Sequence, residues 1–156
     1  MHVADHADDV AGLEFAVRVA LRPDDVREAG RRALAAARGQ RGTTIREAHV
    51  GPAAIRYVVF GRGLVRQMVL HLTWEELAAG RRRVRLTVGE HLVEPNRLLF
   101  IPLGPPVVPA LPTARAFVAA LRDELTGSAA RPPTRPALPV PRPARPQASV
   151  DSPEVV

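Results

Sequence analysis

The chain has 156 residues and no cysteine, and its 22 basic residues, all of them arginine, outnumber 16 acidic ones for a net charge of +6. Without thiols there are no disulfides, thiolate metal sites or thiol chemistry, which agrees with a reducing compartment. No apolar run of about 18 residues and no basic-then-apolar leader is readable, so the expectation is a cytoplasmic protein with no membrane span.

Residues 1–11 carry His2, Asp5, His6, Asp8 and Asp9 with little apolar content, and read as a flexible N-terminal tail with a charge of −3. His and Asp alternate there, but nothing closes the shell of about four ligands that zinc takes. Residues 12–127 read as a single α+β domain that holds most of the positive charge, +7. Its first stretch organises the rest: Leu13, Phe15, Val17, Val19 and Leu21 are apolar at every second position, with Glu14, Arg18 and Arg22 between them. That period is the mark of a half-buried strand, and one face must be covered by the rest of the chain.

Pro23 stops this strand, and Asp24 is the expected N-cap of a helix that Gly39 ends. The stripe Val26, Ala29, Gly30, Ala33, Leu34 and Ala37 has helical spacing and small side chains, which suits close packing on a sheet. Arg27, Arg31 and Arg38 fall on the opposite, solvated side. A meander follows, with strands at 43–50, 53–60, 64–74, 81–89 and 97–101. Gly51-Pro52 and Gly61-Arg62-Gly63 supply turns; the GxG is no phosphate loop, because no helix follows it. Met68, Leu70, Leu72 and Trp74 share one face of their strand, and Val84, Leu86 and Val88 one face of theirs. The five prolines of PLGPPVVPALP then exclude helix and ladder and leave an extended crossover.

A closing helix is expected over 113–125, capped by Thr113 and ended by Gly127, with Ala114, Phe117, Val118, Leu121 and Leu125 as its apolar stripe. Residues 128–156 cannot form a core and read as a disordered Pro/Arg-rich tail of polyproline-II character. Pro133, Pro136 and Pro139 step by three, as a ligand of an SH3-type groove would. The flanking arginines miss the spacing such grooves use, which favours a spacer. The fold class expected is therefore α+β: an antiparallel sheet of five or six strands in the order β-α-β-β-β-β(-β)-α, with the helices on one face.

The chemistry-bearing residues are few. Residues 12–127 contain no Ser, Cys or Lys, which leaves Thr, Tyr, His and carboxylates for covalent or acid–base work. Glu47 with His49 and Glu90 with His91 are the pairs that invite a general-base reading, the first because residues two apart on a strand face the same way. His49, His71 and His91 come from separate strands and would have to converge to hold a metal. No catalytic, metal or cofactor residues are assigned. Arg18, Arg22, Arg56, Arg83 and Arg85, with Arg46 and Arg66 beside them, point outward and form a candidate surface for an anionic partner. Single-strand nucleic-acid binders interleave such charges with aromatic platforms, and the outward positions offer little beyond Phe60.

The element order is similar to the helix-grip architecture of START-like proteins, in which a curved antiparallel sheet wraps the final helix. LLFIPLGPP followed at once by that helix also resembles small uncharacterised actinobacterial α+β proteins. The resemblance implies a fold and no site residues. Three functions are left open. The first is a non-catalytic binding or protein-interaction module, engaging a protein partner or a second copy of itself. The second is a small hydrophobic-ligand carrier or enzyme with a cavity between sheet and last helix lined by Phe15, Tyr57, Met68, Trp74 and Phe117. The third is nucleic-acid binding through the arginine face.

Overall fold

Period-two alternation places every second residue of five strands on one side, and the sheet is built from those registers. The computed structural model describes residues 4–37, 42–95, 97–98, 101–102, 104 and 106–130. Strands β1 (Phe15–Val19), β2 (Thr44–Val50), β3 (Ala54–Phe60), β4 (Arg66–Glu76) and β5 (Arg82–His91) form one antiparallel sheet in the order β1-β5-β4-β3-β2. Consecutive strands from β2 to β5 are neighbours, as in any meander. β1 instead joins the far side by pairing with β5, so the stretch after β1 must carry the chain from one edge of the sheet to the other. Helix α2 (Pro23–Ala36) lies in that crossover.

The inward rows are continuous across strands. Phe15 faces Leu86, which faces Leu72, which faces Ile55; Val17, Val84 and Trp74 form the next row. Helix α3 (Leu111–Ala130) runs beside α2 and meets both edge strands, β1 and β2, so the sheet spans the helix from one edge to the other. Phe117 of α3 stacks on Tyr57 of β3 with ring centroids 4.7 Å apart. Tyr57, Met68, Leu70, Leu72, Leu86, Phe117, Leu121 and Leu125 are fully buried. Each such side chain contributes about 1.5–3 kcal/mol of burial energy, which is what holds the helices on this face.

The small stripe of α2 does as expected: Val26, Ala29, Gly30 and Ala33 are buried. At Gly30 the approach is so close that a Cβ would lie 2.1 Å from the Tyr57 hydroxyl oxygen, so glycine is what admits the tyrosine. Arg27 corrects the expectation of a solvated arginine face. It reaches from α2 to the β2–β3 turn, donating to the carbonyls of Gly51 at 3.2 Å and Pro52 at 3.3 Å. It also pairs with Asp24 at 2.8 Å and stacks over Trp74.

Other boundaries move for identifiable reasons. Residues 4–11, expected as part of a solvated tail, form helix α1 (Ala4–Ala11). Val10 is buried, and Asp9 pairs with Arg115 of α3; these two anchors outweigh the polar composition. The N-cap of α2 is Arg22, with Pro23 at the first helical position, where its missing N–H costs nothing. Asp25 accepts the Arg22 amide at 3.0 Å. Helix α3 begins at Leu111 and runs past Gly127 to Ala130. Thr113 is therefore inside it, fully buried and hydrogen-bonded to Thr43 at the start of β2.

The crossover excluded from ladders contains short pairings: β6 (Arg97–Leu98) with β7 (Ile101–Pro102), and a bridge between Glu94 and Val107. Proline at β7 and beyond keeps them short. His2, Arg38, Gly39, Phe100 and the Pro/Arg-rich residues 131–156 lie outside the described residues. Among the described residues no helix is long and apolar enough to cross a membrane.

Candidate functional site

The five residues expected to line a cavity all belong to the core cluster or pack against it. Tyr57, Met68, Trp74 and Phe117 belong to the buried core, and Phe15 is half-buried with Arg122 stacked 4.8 Å over its ring. The Tyr57 hydroxyl is buried with no hydrogen-bond partner. Burial, with the Glu47 carboxylate adding to it, pushes its pKa far up and keeps it protonated.

The acid–base pairs are separated by local geometry. The register of β2 shifts between Glu47 and His49, so a bulge breaks the period of two. Glu47 lies opposite Tyr57 on the helix side, while His49 lies opposite Arg56 on the other. Glu90 pairs with Arg66 at 2.7 Å rather than with His91. His49 and His71 flank Arg56 in one row, and His91 is opposite Met68 on β5. Among the described residues no cluster of three His, Cys, Asp or Glu is placed to hold a metal ion.

The outward arginines are brought together. Arg18, Arg46, Arg56, Arg83 and Arg85 all occupy the face of the sheet opposite to the helices, with Arg18 directly across from Arg83. Arg22 does not join them, because it caps α2. Arg83 is neutralised by Glu75 at 2.8 Å, whereas Arg18, Arg46, Arg56 and Arg85 have no carboxylate partner among the described residues. The helix-side arginines differ: Arg27, Arg31, Arg32 and Arg115 are all ion-paired. Beside Arg56 and the Arg66–Glu90 pair lies a trough of about 520 Å³ lined by Val58 and Val69. These two are directly opposed across β3 and β4 and only 5% exposed. Gly89 seats the His71 ring at one side, where a Cβ would come within 2.8 Å of Nε2.

A second, larger cleft of about 610 Å³ opens at the end of the sheet, between the β3–β4 turn and the first turn of α3. Gln67 of β4 lies in its wall, 7% exposed, with its Oε1 buried and unpartnered. Leaving such a group unsatisfied costs about 1–3 kcal/mol. Gly61, opposite, makes room for the amide: a Cβ there would stand 2.3 Å from Gln67 Nε2. Sequence reasoning passed over Gln67. The only signal was an uncharged amide inside the apolar run 64–72, which period-two reading assigns to the far face. Compared with known proteins, the chain matches no family model, no curated protein and no solved structure.

Proposed function

We propose that this chain is a non-catalytic binding module of helix-grip-like build that engages an acidic protein partner across the helix-free face of its sheet. The observation that carries this reading is the contrast in pairing: four of the five arginines on α2 and α3 have carboxylates, Arg122 alone resting on the Phe15 ring and the Glu14 carbonyl, while four of the five on the open face, Arg18, Arg46, Arg56 and Arg85, have none among the described residues. Unpaired cations on an open sheet face match a partner that brings its own carboxylates. A second copy of the same face would bring arginine against arginine. Among the described residues only Phe60, half-buried at the end of β3, offers this face a platform for stacked bases, so a nucleic acid fits less well. The wrapped α3 and the meander that leads to it support the helix-grip part of the reading.

The test is fluorescence anisotropy with two labelled probes of equal charge, a Glu/Val peptide and a single-stranded oligonucleotide, between about 50 and 200 mM salt. The peptide is expected to bind more tightly at the upper salt. Arg56→Glu with Arg85→Glu should weaken it at least about tenfold, or 1.4 kcal/mol. Tighter oligonucleotide binding with a steep salt slope would replace the proposal by nucleic-acid recognition. Binding of neither probe would overturn it.

A further inference from the structure

We infer that the cleft at the end of the sheet is a separate binding site for a small apolar molecule that carries an amide-type edge, an N–H beside a C=O, as in a lactam or a primary carboxamide. The site is independent of the arginine face and rests on different observations. Its volume of about 610 Å³ lies within the range of about 300–1,000 Å³ usual for small-molecule sites. Val65, Val108 and Leu111 give it apolar walls. Such a cleft holds a ligand's body, and a few placed polar groups set its orientation.

Asp9, Thr43, Arg62 and Glu94 also line the cleft, and Gln67 is the polar lining residue with a buried, unpartnered atom. It is 7% exposed, its Oε1 is buried without a partner, and no other hydrogen bond of its side chain is made within the protein. A carboxamide offers a donor and an acceptor side by side, and a half turn about its last torsion exchanges them. The complement of that pair is another amide edge, which takes up both atoms once the side chain has turned its Oε1, sealed from the cleft in this structure, toward the ligand. An amine would satisfy only the acceptor, and a carboxylate only the donor. Gly61 keeps this amide in the wall, since any side chain there would displace it.

The rim agrees with an apolar ligand. Val65 and Val107, which line the cleft, are exposed, and Leu64, next to Val65 in the chain though not itself in the lining, is 67% exposed and held at φ 60°, a left-handed conformation that leucine rarely adopts. The backbone bridge between Glu94 and Val107 ties two residues of the lining together. Strain and solvent-facing apolar groups are gathered where the ligand would enter.

The test is a protein-observed NMR titration of the full chain with benzamide, acetophenone and toluene, which share an apolar ring and differ in the edge. Benzamide is expected to give saturable shifts at Gly61, Val65, Gln67 and Val108, at least tenfold tighter than acetophenone or toluene. Gln67→Leu, close in volume, should remove that preference and leave toluene unchanged. Equal binding of the three probes to the natural chain overturns the amide edge, whether or not the variant folds. Saturable shifts confined to the arginine face, or none at all, overturn the site.

Discussion

Replacing Gly30 by alanine should destabilise this protein, although the same change in an ordinary helix interior adds about 1 kcal/mol of stability. The new methyl would stand 2.1 Å from the Tyr57 hydroxyl oxygen. Tyr57 is fully buried and stacked on Phe117 at 4.7 Å, so its ring has nowhere to go. Overpacking of this kind costs about 1–3 kcal/mol, and a locked ring puts it at the upper end. The net expectation for Gly30→Ala is a loss of about 2 kcal/mol. Tyr57→Phe removes both the clash and a buried hydroxyl with no partner, so by itself it should be neutral or stabilising by about 1 kcal/mol. In the phenylalanine background the alanine methyl meets only the ring carbon, 3.3 Å away, a contact that a shift of a few tenths of an ångström relieves. There Gly30→Ala should recover most of its helical benefit. The double-mutant cycle then gives a coupling of about 2–3 kcal/mol, large for a pair in contact. Urea unfolding followed by the fluorescence of Trp74, the single tryptophan, measures all four proteins. Natural stability in Gly30→Ala, or a coupling below about 0.5 kcal/mol, would refute the reasoning.

Two further perturbations are informative. With no lysine or cysteine and a single tyrosine, Tyr57 is the only side chain that titrates between about pH 9 and 12. Burial pushes its folded pKa up, so above about pH 10 the folded state keeps a proton that the unfolded state loses. Stability should fall by about 1.4 kcal/mol per pH unit from there, and Tyr57→Phe should be flat over the same range in urea titrations. Arg27→Ala should cost about 2–3 kcal/mol by urea unfolding, because it removes two charged hydrogen bonds to the β2–β3 turn and the stacking over Trp74. Arg27→Lys should recover less than half of that, since an ammonium lacks the planar fork.

What the sequence made legible was whatever repeats at a fixed period. Phe15, Val17 and Val19, the 68–74 stripe and the Phe117–Leu125 stripe are all read from spacing, and all face the core. The α+β class and the element order follow from them. What stayed hidden depends on neighbours distant in the chain. The pairing of β1 with β5 joins residues about seventy apart in sequence, and no local pattern encodes it. The bulge that sends Glu47 and His49 to opposite faces is a matter of register against β3. Arg27 sits on the polar side of α2 by spacing, yet the turn that receives it is supplied by residues 51 and 52. Of the arginine surface, Arg18, Arg56, Arg83 and Arg85 were legible because strands alternate; Arg22 was not, because the strand ends before it.

The arginine face also argues against its own folding benefit. On α2, carboxylates stand three or four residues before their arginines, as with Asp24 and Arg27 or Glu28 and Arg32, so the helix satisfies its charges locally. A strand has no such device, and its charges are satisfied only by residues across the ladder. The cross-strand rows here set Arg18 beside Arg83, and Arg56 between His49 and His71. Like charges directly opposed destabilise a sheet by up to about 1 kcal/mol; here that holds for Arg18 and Arg83, where Glu75 offsets part of it, while Arg56 and Arg85 have no carboxylate across the ladder. Nothing in the packing calls for arginine at Arg56 or Arg85, whose side chains are exposed on positions that threonine or glutamate would fill with equal or better stability. The proposed acidic partner would offset that cost by bringing carboxylates to Arg18, Arg46, Arg56 and Arg85, which have none among the described residues.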